Sequence, residues 1–502
     1  MFEHMADALT MIFSWQTLGA MTLGLIIGTF FGALPGLTAT MAVALFTPVT
    51  FFMPPLIGIT FLLGLYKGGI YGGSISAILI STPGTAASAA TVADGYTMAK
   101  QGKAGKALKM ALYASIFGET VGNLVLLFVA GALASVALSF GPPEYAAILL
   151  FSFTIIASLS GNSLSKGVFA AALGFFIAII GIDPQYGTLR FTFGSTNMTG
   201  GISFVPALIG LFAMAEIFTF ATERNSGVSK AYQIEKKGDN HRVTWQEFKA
   251  CGTAMTLASI VGTWIGILPG LGQPIACWLA YGIAKNRSKN PELFGKGSLE
   301  GIAAAEAGNN SVNGPAMIPM LALGIPGDSV TAILLGAFIA QGMRPGPLLF
   351  ETQGTMVYAL LLIMLLGNIP FLLSCYLMIP FFSKIATIQN KYLVPGICAV
   401  SIVGAYAVNN SIFDVGVMLI FGLIGYFMKR LDIPSAPMVI ALILGQMTET
   451  AVIQTITLGR GGFGIMLQRP IALAFLIITA IILIRICYKE YQKYKAAKTL
   501  AE

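Results

Sequence analysis

Apolar positions run through this chain in long blocks, not in alternation. Residues 203–222, 355–382 and 471–487 are examples, each rich in Ala, Ile, Leu and Phe. At 20, 28 and 17 residues each reaches the roughly 17–25 residues that cross a bilayer as a helix. A transmembrane β-barrel would instead alternate apolar and polar positions in units of about 10 residues. The pattern therefore predicts an all-α polytopic membrane protein. Helices are expected near 110–138, 142–160, 167–182, 203–222, 355–382, 392–409, 411–428, 434–455 and 471–487.

Two interruptions of this pattern each occur twice. Residues 33–37 read Ala-Leu-Pro-Gly-Leu and 267–271 read Ile-Leu-Pro-Gly-Leu. Residues 82–85 read Thr-Pro-Gly-Thr and 325–328 read Ile-Pro-Gly-Asp. At Pro35 and Pro269 one apolar run ends and another follows directly, so 16–34 with 37–52 predicts a re-entrant hairpin, mirrored in the second half. The segments 56–82 and 299–325 predict elements that end at Pro-Gly and restart. Weaker matches keep the same order: Gly122-Asn123 with Gly367-Asn368, Glu144-Tyr145 with Lys391-Tyr392, and Gly174 with Gly422. The five offsets are 234, 243, 245, 247 and 248, a slow drift that small insertions would produce. Duplicated halves with matching broken helices mark a secondary transporter, and the breaks point at its binding site.

Composition agrees with the pattern. Of 502 residues, 56% are hydrophobic and 10% charged, against about 25% charged in soluble proteins. The mean hydropathy is +0.80. The net charge of +8 does not indicate an anion site or a nucleic-acid patch, because Lys and Arg cluster in a few connections. These are 100–109, 224–249, 285–296, 429–430 and 485–498, with Lys166, Lys384 and Lys391 in short loops. Under the positive-inside rule these segments are cytoplasmic, which accounts for 24 of the 29 Lys and Arg. Arg190, Arg344, Arg460 and Arg469 fall outside, and Lys67 lies within an apolar segment.

The charges also orient the halves. In the first, the basic loop follows the Pro-Gly-Thr break; in the second, it precedes the Pro-Gly-Asp break. The two repeats are therefore expected to be inverted. Residues 1–222 form the first, 223–249 a cytoplasmic linker, 250–470 the second, and 471–502 an added helix with a basic cytoplasmic tail. Residues 1–15 carry no Lys or Arg, so no cleavable signal peptide is expected and the N-terminus is placed outside. The five cysteines and two histidines show no metal-ligand spacing, which leaves no ligand set for a transition metal.

Backbone exposed at membrane depth must be buried in protein or line a cavity. A helix N-terminus there suits a carboxylate, and a helix C-terminus suits Na⁺. Candidate substrate-binding residues are Gly36, Thr38 and Thr40 at the first tip and Lys67, Tyr71 and Ser74 on the second element. Ser81, Thr82, Gly84 and Thr85 at the first break join them. The second half contributes Gly270, Asn310, Gly327, Asp328 and Ser329. Pro35, Thr82, Asn309, Asn310, Asn313 and Asp328 offer the hard oxygens of a cation site. Lys67 is expected to pair with a substrate carboxylate, or with Asp94 or Glu306. Glu119, Glu216 and Glu449 read as partners between helices.

At these motifs the chain resembles the large membrane subunit (TctA) of tripartite tricarboxylate transporters. The matching stretches are 32–37, 67–79, 81–85 with Asp94-Gly-Tyr96, Leu268-Pro-Gly270, Glu306-Ala-Gly-Asn-Asn310 and Leu323-Gly-Ile-Pro-Gly-Asp328. Residues 271–274, Leu-Gly-Gln-Pro, are bulkier than the family pattern at that point. The resemblance implies a bacterial inner-membrane importer of a carboxylate such as citrate. It further implies a small membrane subunit of about four helices, a periplasmic solute-binding protein, and a cation gradient, Na⁺ or H⁺, in place of ATP. No Walker A sequence is present. Two other classes stay open on the residues alone. A passive channel also uses broken helices. A membrane-embedded enzyme needs paired catalytic groups, and no His-Glu-x-x-His, Asp-x-Asp or Gly-x-Gly-Asp occurs.

Overall fold

The computed structural model describes residues 2–158, 164–183, 186–222, 241–385, 388 and 390–501. Most of the expected 223–249 linker lies outside the described residues. Among the described residues, seven helices are long and apolar enough to cross a membrane. The described strands are one antiparallel pair, Gly181–Ile182 with Leu189–Arg190. The chain is an all-α polytopic membrane protein.

In the first half, α1 (Trp15–Ala33) and α2 (Ala39–Thr50) flank the first Pro-Gly tip. The tip is a tight turn in which the Leu37 N–H donates to the Leu34 carbonyl at 3.2 Å. Pro35 fits its second position, and Gly36, at φ +84°, supplies the left-handed third position. α3 (Pro55–Ile80) ends on a left-handed Ser81. A short 3₁₀ turn, Ala86–Ser88, leads into α4 (Ala89–Lys100) and then α5 (Ala104–Ala137).

The second half repeats this order. α6 (Gly252–Ile267) and α7 (Gly272–Arg287) flank the second tip, where Gly270 has φ +87°. α8 (Leu299–Asn310), α9 (Met317–Leu323) and α10 (Ser329–Ala340) follow, then α11 (Gly354–Leu366) and α12 (Asn368–Ile385).

Several expected boundaries change. The 299–325 element is broken once more, at 311–316. Pro315 has no N–H to donate, and its ring conflicts with the carbonyl four residues back, at Ser311. The chain turns there through Asn313 N–H to Asn310 O at 3.2 Å and Met317 N–H to Gly314 O at 2.9 Å. The 355–382 run divides at Gly367. The run over 203–222 carries a π turn at Gly210–Met214. The last helix continues through the basic tail, Pro470–Ala501, and an N-terminal helix, Phe2–Ile12, has no counterpart among the expected elements.

α1 and α3 meet backbone to backbone. A Cβ added at Gly24, Gly28 or Gly32 would strike the carbonyls of Phe61, Leu65 and Gly69. Added at Gly64, Gly68 or Gly72, it would strike those of Met21, Leu25 and Thr29. This small-residue seam is what close helix approach in a membrane requires.

The chain forms two compact units, each drawing on both halves: Met1–Ser135 with Ser203–Phe427, and Val136–Ile202 with Met428–Glu502. Within the first, α2 packs on α10, while α7 packs on the Ala86–Ser88 turn and α4. The helix after one half's tip thus meets the segment after the other half's break, in both directions. Gly422 also abuts Met214 and Phe218 there. Within the second unit, Leu164–Ala178 packs on Ser435–Leu458, with Gly174 against the Met438 carbonyl.

Candidate functional site

The two breaks are built alike. Ser81 (φ 60°) and Gly324 (φ 73°) close the preceding helices in the left-handed conformation. At Gly324 the Ile325 N–H returns to the Pro319 carbonyl at 3.2 Å, which satisfies an orphan acceptor of the helix end. After each Pro-Gly comes an N-cap: Thr85 forms a capping box with Ser88, and Asp328 forms one with Thr331. Thr38 caps α2 by accepting from the Met41 N–H at 3.2 Å.

Each break lies against its own half's hairpin. The Gly84 N–H donates to the Gly73 carbonyl at 3.2 Å, and a Cβ there would strike the Gly32 carbonyl. In the second half the tip itself is joined to the break: the Gly270 N–H donates to the Gly327 carbonyl at 2.7 Å. Asp328 Oδ2 accepts from the Tyr66 hydroxyl and the Gln273 amide, each at 2.7 Å. Tyr66, on α3, thereby links the first half to the second tip. Gln273, two residues after the second tip, is part of this cluster.

A second polar cluster surrounds Glu306, which is fully buried. Its Oε1 accepts from Ser74 Oγ at 2.6 Å and from the Thr91 hydroxyl. Its Oε2 accepts from Ser115 Oγ at 3.1 Å. Asn310 Nδ2 donates to Ser115 Oγ at 2.8 Å and to the Glu306 carbonyl at 3.0 Å. Asn310 Oδ1 and both amide atoms of Asn309 are buried without a hydrogen-bond partner. Such atoms are costly in an apolar interior, and each needs an explanation.

Lys67 is held elsewhere. Its ammonium donates to the Met364 carbonyl and Asn368 Oδ1, both at 2.7 Å, and lies 3.5 Å from Glu119 Oε1. Neither Asp94 nor Glu306 takes it. Asp94 Oδ1 instead receives the backbone N–H groups of Gly295, Gly297 and Ser298 at 2.8–2.9 Å, ahead of α8. Tyr281 donates to its other oxygen at 2.8 Å. The paired motifs at 122–123 and 367–368 meet at the Lys67 junction, where Asn123 donates to the Met364 carbonyl and Asn368 to Thr120 Oγ1, each at 2.8 Å. Tyr71 lies between Phe371 and Phe382. Glu449 forms a two-pronged pair with Arg190 at 2.6 and 3.0 Å.

Apart from Lys67 and Tyr71, the candidates therefore fall into four places. Gly84 and Thr85 sit at the first break, where Ser81 and Thr82 are exposed. Pro35 and Thr40 are half-buried beside the first tip, near Gly36 and Thr38. Gly270, Gly327, Asp328 and Ser329 form the second tip cluster, with Gln273 linking Asp328 to Asn313 Oδ1 at 3.4 Å. Ser74 and Asn310 belong to the Glu306 cluster, with Asn309 adjacent in sequence. Tyr66, Thr91 and Ser115 were not expected from the sequence. Their only local signal is a polar atom inside an apolar helical run.

Comparison with known proteins gives a consistent result. A family model described as "Tripartite tricarboxylate transporter TctA family" matches residues 18–440. A 52.8 kDa protein in the TAR-I ttuC' 3'region of Agrobacterium vitis is 36% identical over 457 residues, 90% of this chain and 89% of that protein. A protein in the TAR-II ttuC' 3'region of the same organism is 34% identical over 215 residues, 43% of this chain and 89% of its own length. No solved structure matches the chain. With the family pattern spanning most of its length, the chain belongs to the tripartite tricarboxylate transporter TctA family.

Proposed function

We propose that this chain is the large transmembrane subunit of a binding-protein-dependent secondary transporter that imports a carboxylate such as citrate. It works in the bacterial inner membrane with a small subunit of about four helices. A periplasmic solute-binding protein delivers the substrate. The N-terminus is periplasmic and the C-terminus cytoplasmic. Residues 1–222 and 250–470 act as inverted repeats.

One observation carries the reading most: the matched Pro-Gly breaks, with the segment after each break packed against the other half's post-tip helix. Kinks needed only for packing have no reason to occur as two matched pairs, with a side-chain N-cap after both breaks. The N–H groups near Gly36, Thr38, Thr40, Gly84 and Thr85, with the Ser81 and Thr82 hydroxyls, bind one side of the carboxylate substrate. Gly270, Gly327 and Ser329 serve the other. Amide and carbonyl oxygens near Pro35, Thr82, Asn309, Asn310, Asn313 and Asp328 serve the coupling ion. The orphaned buried oxygens of Asn309 and Asn310 fit an alkali cation, which takes oxygen ligands. Alternating access then follows from an elevator-like shift of the tip-bearing elements.

The test is uptake of labelled citrate by proteoliposomes that contain all three components, with and without an inward Na⁺ gradient. The reading predicts uptake that requires the gradient. Equal uptake after the gradient is removed would eliminate Na⁺ coupling.

A further inference from the structure

We propose that Glu306 is the charged centre of a buried Na⁺ site formed with Ser74, Thr91, Ser115 and Asn310. This rests on the transport reading above and adds to it a charged ligand and three hydroxyls not otherwise assigned to the ion.

The carboxylate is enclosed by side chains from four helices, α3, α4, α5 and α8, and is fully buried. Every donor it receives is neutral: three hydroxyls and an amide. None of the ion pairs among the described residues includes Glu306. A lone carboxylate at such depth carries a large desolvation penalty, which hydrogen bonds from neutral donors reduce but do not neutralise.

The same five side chains carry at least one oxygen each. Ser and Thr hydroxyls donate to the carboxylate as described, and their lone pairs can turn to a cation instead. Asn310 supplies the independent sign. Its Nδ2 contacts Ser115 and Glu306, while its Oδ1 is fully buried with no partner. Exchanging the two amide positions, which have nearly the same shape, gives up the Nδ2 bond to the Glu306 main-chain carbonyl and turns Oδ1 toward that carbonyl, Ser115 and the carboxylate, oxygens that a cation between them would hold together. The shell is then oxygen throughout, with one negative charge, which suits a monovalent hard cation better than a transition metal. The shell includes no His or Cys.

Purified full-length protein tests this through its thermal unfolding midpoint, measured as NaCl replaces KCl at constant ionic strength. The wild type should show a saturable rise with Na⁺. Glu306→Gln should abolish that rise. Thr91→Val keeps the side-chain shape, so it carries the test if Glu306→Gln does not fold. It should raise the Na⁺ concentration at half-effect at least tenfold. Glu449→Gln, in the other compact unit, should keep the wild-type response. A wild-type Na⁺ response in folded Glu306→Gln or Thr91→Val would overturn the site. So would a wild-type midpoint that responds to pH but not to Na⁺, which would make the guest a proton. Failure of carboxylate uptake alongside an intact, Glu306-dependent Na⁺ response would count against the transport reading and not against the site.

Discussion

Lys67 and Glu119 show how single residues decide between binding and structure. Both are fully buried and 3.5 Å apart, and the Lys67 ammonium has two further oxygen acceptors. Removing one member of a buried pair leaves an uncompensated charge, at about 3–5 kcal/mol. Lys67→Met should therefore lower the thermal midpoint sharply, and the double variant Lys67→Met/Glu119→Leu should recover most of the loss. If the double variant also retains uptake, Lys67 does not bind substrate. Asn310→Ala should leave the protein folded and raise the Na⁺ concentration needed for half-maximal uptake at least tenfold. Wild-type uptake at limiting Na⁺ would remove Asn310 from the cation site.

At the scale of elements, the α1–α3 seam and the tips depend on glycine in different ways. At Gly32 a methyl group would meet the Gly69 carbonyl, and backbone cannot yield as a flexible side chain does. Gly32→Ala should push the helices apart, lower the thermal midpoint and reduce uptake. Gly19, on the same helix, has nothing within 4 Å of the place a methyl group would take. Gly19→Ala should be neutral or stabilise by about 0.5–1 kcal/mol through helix propensity. The tips were legible in the sequence because Pro-Gly acts locally: Pro fixes one turn position and Gly supplies the next. The break at 311–316 was not legible in the same way. Asn309 to Asn313 carry the mark of binding chemistry, and Pro315 does not stand out in an element already expected to end at Pro326.

At the scale of the whole molecule, the order of repeated elements was legible but their exchange was not. A contact such as α2 with α10 joins residues nearly 300 positions apart, and neither partner carries a local trace of it. The Glu306 cluster was hidden for the same reason, because its three hydroxyl donors come from three helices of the first half. Relative inversion of the halves is argued from loop charge, so it predicts which side each loop reaches. In a cysteine-free background, Lys103→Cys and Lys289→Cys should react with an impermeant maleimide from the cytoplasmic side only. Arg344→Cys should react only from the periplasmic side. Labelling of Lys103→Cys and Lys289→Cys from opposite sides would contradict the inversion.

On the proposed function, the broken, paired halves move a carboxylate against its gradient at the expense of a cation gradient. The most direct measurement is the steady-state ratio of labelled citrate inside to outside proteoliposomes holding the three components, under an inward Na⁺ gradient and without ATP. The expected ratio is well above one and collapses to one when the Na⁺ gradient is dissipated. A ratio that stays at one while citrate exchanges freely would contradict it and identify a passive channel.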